Sequence, residues 1–185
     1  MGERLKRVLV VFSTMSGCTA TIARRIGVDL IAYGLQPVVR SVEQVAELRP
    51  GEYDAVIFGS GLRMGKWHKD ARDWVARNEG ELAKIPFALF SVGLRGLNAA
   101  GEMNEAQAAT EVSRALQGLG LPHTVSSVVL PGWKRSEGFN TMEKLALRVY
   151  PLEDGDYRDW NRVDAWVREV GPMLLDTLCP CSRAA

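Results

Sequence analysis

The apolar positions of this chain fall into a rhythm in which short continuous runs alternate with longer stretches that repeat every three or four residues. "RVLVVFS" (7–13) is a compact apolar run, the pattern of a strand buried on both faces. From Thr19 the period changes. Ile22, Ala23, Ile26, Leu30 and Ile31 recur at helical spacing, and Gly34 is placed to end that helix. "PVVRSV" (37–42) is a second strand, nearer an edge because polar residues interrupt it. "YDAVIFGSG" (53–61), introduced by the Pro50-Gly51 turn, is a third and ends in glycine. The spacing then predicts an amphipathic helix from Lys66 to Arg77, with Trp67, Trp74 and Val75 on one side. A fourth strand follows over 85–93, an alanine-faced helix over 104–120, and a fifth strand over 123–132. Residues 131–155 break the rhythm: they exceed the usual strand–helix connection and carry a short helical pattern in "FNTMEKLALRVY". A last helix, 157–178, sets Trp160, Val163, Trp166, Val167, Val170 and Leu174 at core spacing. "CPCSRAA" (179–185) reads as a frayed tail.

Five buried strands alternating with helices imply an α/β architecture, one parallel sheet with helices on both faces. Right-handed crossovers and the chain's brevity favour the strand order 2-1-3-4-5. The expectation is one domain over 1–178, with an insertion at 131–155 near the fifth strand. Ligands of such sheets sit beyond the carboxyl ends of the strands, where the strand order reverses. Three loops therefore matter: those after the first, third and fourth strands.

Composition narrows the partners. The 185 residues are 46% hydrophobic and 24% charged, with a net charge of +1. That balance supports a packed core and lacks the single-sign field of a dedicated nucleic-acid binder, so no nucleic-acid partner is expected. The apolar run before Ser13 is too short for a secretory signal, and no stretch reaches a membrane span. Met1-Gly2 opens like an acylation site, but Lys6 stands where Ser or Thr is needed. Three cysteines, two of them in the tail, give no disulfide framework, so the cytoplasm is the expected compartment.

The first loop, "STMSGCT" (13–19), runs hydroxyl-rich and uncharged into a helix N-terminus. Backbone amides, side-chain hydroxyls and the positive end of the helix dipole together suit a phosphate. Neither the triphosphate loop G-x-x-x-x-G-K-[ST] nor the dinucleotide fingerprint G-x-G-x-x-G is present. Plain N-capping by Ser16 or Thr19 would explain the same residues. The second loop, "GSGLRMGKWH" (59–68), offers glycines for close approach and Met64 and Trp67 as apolar cover for a flat ring, or else it is a strand-to-helix turn with Trp67 in the core. The third, "SVGLRGLNAAGEMN" (91–104), is glycine-rich and mostly uncharged. His68 and His123 form no metal-ligand constellation, and Cys179-Pro180-Cys181 lacks the two-residue spacing of the C-x-x-C redox motif.

Taken together, the three loops resemble those of the flavodoxin family. "STMSGCT" is similar to the family's phosphate loop T-x-T-G-x-T, with Ser16 keeping the hydroxyl of the usual Thr. The resemblance implies a three-layer flavodoxin-like fold and bound FMN. Its phosphate would be held by Thr14, Ser16, Gly17 and Thr19, with Ser13, Met15 and Cys18 contributing to the loop. The isoalloxazine ring would be flanked by Gly61, Leu62, Arg63, Met64 and Gly65 on one side and by Ser91, Val92, Gly93 and Leu94 on the other. The redox-linked peptide flip of the family would fall at Met64–Gly65. Within the family, "LVVFSTMSGCTATIA", "GSGLRMGKWHKDARDWV", "FALFSVGL", "GWKRSEGFNTMEKLALR" and "RDWNRVDAWVREV" resemble the menaquinone-dependent protoporphyrinogen IX dehydrogenases.

That second resemblance implies an enzyme that strips hydrogens from a reduced tetrapyrrole and passes the electrons to a quinone, in haem biosynthesis. The flavin carries the chemistry, so no catalytic side chain and no metal is required. The insertion, with Trp133, Phe139 and Met142 among Lys134, Arg135, Lys144 and Arg148, would cover a flat ligand bearing propionates, lie against the inner face of the cell membrane, or simply extend the fifth strand. The competing function is a flavodoxin proper, a one-electron carrier between proteins. Such carriers are strongly acidic, which the +1 balance and Arg63, Lys66, Lys69 and Arg95 near the presumed flavin edge oppose. A cofactor-free binding domain on the same scaffold stands third.

Overall fold

A computed structural model describes residues 4–45, 48–63, 65–117, 123–135 and 152–175, together with Leu145. The main sheet has the order β2-β1-β3-β5-β6, built from β1 (Lys6–Ser13), β2 (Leu35–Ser41), β3 (Ala55–Arg63), β5 (Phe87–Gly93) and β6 (Ser126–Pro131). Every pairing along that path is parallel, with Val10 opposite Val39 on one side and Ile57 on the other. The expected order 2-1-3-4-5 is therefore present, and β2, interrupted by Gln36 and Arg40, lies at an edge as expected.

One element departs from expectation. Lys66 and Trp67 do not open a helix but form a short strand, β4 (Lys66–Trp67), folded back antiparallel on the end of β3. Helix α2 (Lys69–Leu82) starts only after His68. Trp67 keeps its place in the core, so its burial is satisfied in strand rather than helix geometry.

Alternation along the strands divides the core in two. Val8, Val10, Phe12, Ile57 and Phe90 face α1 (Cys18–Ile31) and the last helix, α4 (Trp160–Leu175), where they meet Ile22, Ile26, Trp166 and Val170. Leu9, Val11, Val56, Phe58, Phe87 and Leu89 face the other way, against Trp67, Trp74 and Val75 and Ala115 of α3 (Glu105–Leu116). Phe58 stacks on Trp74 with ring centroids 5.0 Å apart. Each fully buried aromatic on this sheet contributes about 1.5–3 kcal/mol, which fixes the strand ends that carry the loops.

The excursion after β6 is closed at its base. β7 (Trp133–Lys134) pairs antiparallel with β8 (Gly155–Asp156), and the Lys134 ammonium donates to the Leu152 carbonyl at 2.6 Å. The expected helical pattern in 139–150, apart from Leu145, and the tail cysteines Cys179 and Cys181 lie outside the described residues.

Candidate functional site

Strand register places the first two loops side by side at the carboxyl edge of the sheet. Ser13, Ser60 and Ser91 end the apolar runs of β1, β3 and β5 and are aligned across the three strands. All three are buried. They continue the face toward α2, so a polar rung closes that core where it meets the loops. Ser91 Oγ accepts from Trp67 Nε1 at 2.9 Å, and Ser13 Oγ lies 3.3 Å from His68 Nδ1. No single strand signals this rung. It becomes visible only once the register is known.

The loop after β1 is organised to leave donors over. Thr14 Oγ1 accepts the Gly17 amide at 3.0 Å, and Gly17 adopts a left-handed φ of 87° that turns the chain into α1. Plain capping, the alternative explanation of these hydroxyls, does not occur: neither Ser16 nor Thr19 takes the N-cap position, which Gly17 holds with no side-chain hydrogen bond. The first-turn amides of α1 thus lack a side-chain cap, and the turn itself carries no acidic residue. α3 shows the ordinary arrangement, with Asn104 Oδ1 accepting from the Gln107 amide at 3.1 Å. An uncapped helix start beside hydroxyls is a receptor for an anion.

Trp133, from the base of the excursion, completes this loop. Its Nε1 donates to Ser16 Oγ at 3.0 Å, and its ring lies 3.8 Å from where a Cβ on Gly17 would stand. By accepting that bond, Ser16 keeps its own O–H free to donate, as Thr14 does after accepting from Gly17. The Arg135 and Arg158 guanidiniums sit 4.0 and 4.8 Å from the Trp133 ring, and Arg158 also donates to Thr21 Oγ1 at 2.8 Å. Cations absent from the loop sequence are therefore brought to its flank from distant positions. Arg158 in turn holds the Asp156 carboxyl below the usual carboxylate range through a direct hydrogen bond.

Cys18 is buried with its thiol toward this region. Burial pushes the thiol pKa up and outweighs the lowering by the Trp133 backbone hydrogen bond and the nearby arginines. A thiol kept protonated in this way is a poor nucleophile. Met15 is 61% exposed at the tip of the loop, and its sulfur meets Arg63 Nη1 at 3.6 Å. That contact joins the first loop to the second.

In the second loop Gly61 makes room for two neighbours. A Cβ there would lie 3.3 Å from His68 Cε1 and 3.4 Å from Thr19 Oγ1. Burial, reinforced by the Arg63 charge and opposed by Asp70, lowers the His68 pKa, so the imidazole is neutral at pH 7. Leu62 pairs antiparallel with Trp67 and Arg63 with Lys66, and Gly65 between the two strands has φ 74°. Met64, and with it the expected peptide flip, lies outside the described residues. In the third loop Ser91, Val92 and Gly93 are buried and Leu94 is half-buried. Leu62 Cβ would stand 3.2 Å from a Cβ on Gly93, so the second and third loops also touch. His123 is exposed and remote from this edge of the sheet. Phe139, Met142, Lys144 and Arg148 lie outside the described residues.

The donor set fits the phosphate of a flavin mononucleotide: uncapped amides, two hydroxyls with free protons, and cations at one remove, one of them (Arg158) paired with Asp156. Among the described residues, no group of His, Cys, Asp and Glu side chains fits a metal ion, and no helix is long and apolar enough to cross a membrane. A cavity of about 490 Å³ lined by Val42, Glu43, Asp70, Asp73, Ala76 and Arg77 shares none of its walls with the three loops.

Comparison with known proteins bears on the fold and the family. The sequence model described as "Flavodoxin domain" matches residues 9–159. The chain is 32% identical over 88 residues to the "Protoporphyrinogen IX dehydrogenase (quinone)" of Escherichia coli (strain K12). That match covers 48% of this chain and 49% of the relative, so it spans about half the length of the curated proteins it resembles. Among solved structures, a flavodoxin from the domain Archaea aligns with TM-score 0.52 and 15% identity, covering 91% of this chain and 99% of that one. The rubredoxin oxygen:oxidoreductase of Desulfovibrio gigas aligns with TM-score 0.55 and 12% identity, over 93% of this chain and 37% of that one. At such identities these structures speak for the fold alone.

Proposed function

The chain belongs to the Flavodoxin domain family, and from that premise we propose that it is an FMN-dependent oxidoreductase that oxidises protoporphyrinogen IX to protoporphyrin IX with a quinone as acceptor. The observation that carries the cofactor is the uncapped start of α1 beside Thr14 and Ser16. Thr14, Ser16, Gly17, Cys18 and Thr19 hold the phosphate through amides and hydroxyls, with Ser13 and Met15 shaping the loop. Gly61, Leu62, Arg63, Met64 and Gly65 line one side of the ring, and Ser91, Val92, Gly93 and Leu94 the other. Bound FMN supplies the redox step, taking electrons from the substrate and passing them to the quinone.

The substrate class is supported by charge and by the relative. Exposed Arg63 and Lys66 stand at the ring edge, with Arg95 and Arg114 beside them and Arg135 over Trp133. A tetrapyrrole bearing propionates is an anion that such a rim attracts. The Escherichia coli relative is named for this reaction. A quinone resides in lipid, so this reading places the protein in the cytoplasm with contact at the inner membrane face.

A second reading, an electron carrier between proteins, rests on the Flavodoxin domain match itself. An anaerobic assay separates the two. FMN-loaded protein mixed with protoporphyrinogen IX and menaquinone should form fluorescent porphyrin, and a variant lacking residues 136–151, which keeps Trp133 and Arg135 at the cradle, shows whether the excursion takes part. No porphyrin from a preparation that a partner reductase still reduces would establish the carrier instead.

A further inference from the structure

His68 holds the N-cap position of α2, yet its side chain makes no cap bond to that helix. The ring turns instead toward the ends of β1 and β3. Nδ1 lies 3.3 Å from Ser13 Oγ, and Ser13 is only 4% exposed. That buried hydroxyl has no other hydrogen-bond partner among the described residues, so it donates to Nδ1. A neutral imidazole that accepts at Nδ1 carries its proton on Nε2.

That Nε2–H borders the space over Gly61. A Cβ on Gly61 would stand 3.4 Å from Nε2 and 3.4 Å from Thr19 Oγ1, so the two polar atoms flank one point from different elements. Gly61 is not at positive φ, and what glycine provides there is room rather than a turn. Neither Nε2 nor Thr19 Oγ1 has a hydrogen-bond partner among the described residues, and neither is sealed from solvent. Polar groups that converge unpaired on an accessible space are the specificity elements of a ligand site. We propose that His68 is a cofactor-binding residue whose Nε2–H donates to the FMN phosphate beside Thr19 Oγ1, closing the cradle from the side of α2. The proposal rests on the FMN reading above. Burial and then the Arg63 charge of β3 lower the imidazole pKa and Asp70 of α2 opposes them, while Ser13 of β1 and Thr19 of α1 face the ring as hydroxyls. A phosphate dianion at Nε2 adds an opposite charge, so FMN binding should make His68 more basic.

The chain has 2 histidines, and His123, exposed and remote, is an internal reference for the other. NMR titration of both imidazoles in the protein alone, with FMN and with riboflavin tests the assignment. FMN should move the His68 pKa upward by about one to three pH units, riboflavin should leave it in place, and His123 should respond to neither. Fluorescence titration of the two flavins against variants gives a second readout. His68→Asn keeps a polar group against Ser13 but has no atom at the Nε2 position. It should bind FMN about tenfold or more weakly, the fold-change of one hydrogen bond to a charged group, and riboflavin as before. His68→Gln brings an amide N–H₂ near the Nε2 position and should recover most of the FMN affinity. An equal response of His68 to riboflavin and FMN would overturn the phosphate contact. Tight FMN binding with the His68 pKa unmoved and H68N unimpaired would overturn the proposal alone. No FMN binding by the wild type would overturn the FMN reading and this inference with it.

Discussion

The loop after β1 and the turn after β3 lie within one contact of each other, yet the fold leaves them opposite deficits. The first has spare donors: uncapped amides at the start of α1, and hydroxyls on Thr14 and Ser16 whose oxygens are already engaged. The second has a spare acceptor, Glu111 Oε2, with cations gathered around it. Both turns depend on a glycine at positive φ, Gly17 at 87° and Gly65 at 74°. Shape alone would make them equivalent. What each leaves unsatisfied tells them apart: spare donors at one, a spare acceptor beside the other.

Substitution of the two glycines separates these roles most strongly. Gly17→Ala and Gly65→Ala should each cost about 1–2 kcal/mol of stability in denaturant titration, because both hold left-handed backbone. Only Gly17→Ala should also abolish tight FMN binding, since it displaces the donors. Equal loss of FMN affinity in both variants would erase the distinction. Trp133→Phe keeps the ring beside Gly17 but removes the N–H bonded to Ser16, and should weaken FMN binding by about 1 kcal/mol, roughly fivefold. An unchanged affinity would mean that Trp133 does not orient the Ser16 hydroxyl.

A smaller effect concerns pH. His68 has a folded-state pKa below its ordinary 6.5, so between the two values the unfolded chain binds more protons than the folded one. Stability should therefore fall as pH drops through 6.5 and level off below the folded-state value. His68→Gln should flatten that part of the profile, and an identical slope in the variant would remove His68 as its source. The smallest effect should come from salt. Substrate turnover, guided by exposed Arg63 and Lys66, should fall with ionic strength more steeply than FMN affinity, which rests mainly on neutral donors. The reverse order would contradict the division between cradle and rim.

Much of the frame was legible in the sequence because burial writes itself as pattern. Val8 to Phe12, Val56 to Phe58 and Phe87 to Phe90 are continuous apolar runs, and each became a central strand. The hydroxyls of the first loop were legible because no charged residue stands among them. β4 was not. A two-residue strand has no period, and Trp67 fits a helical stripe and a hairpin equally well. The role of Ser16 as an acceptor for Trp133 spans 117 residues of chain, and no local signal encodes it. Glu111 was equally silent. On an alanine-faced helix a glutamate reads as solvated surface, and only the approach of Arg95 and the β3–β4 turn buries it.

The central claim is that the neutral cradle at the start of α1 holds a flavin by its phosphate. FMN and riboflavin share the ring and differ in that phosphate, so fluorescence titration of both against the wild type and the double variant T14V/S16A measures the cradle alone. Each hydrogen bond to the charged phosphate is worth about 1.5–3 kcal/mol. The wild type should therefore bind FMN far more tightly than riboflavin, and T14V/S16A should lose about a hundredfold or more for FMN while its riboflavin affinity stays the same. Equal affinities of the wild type for the two flavins would contradict the account.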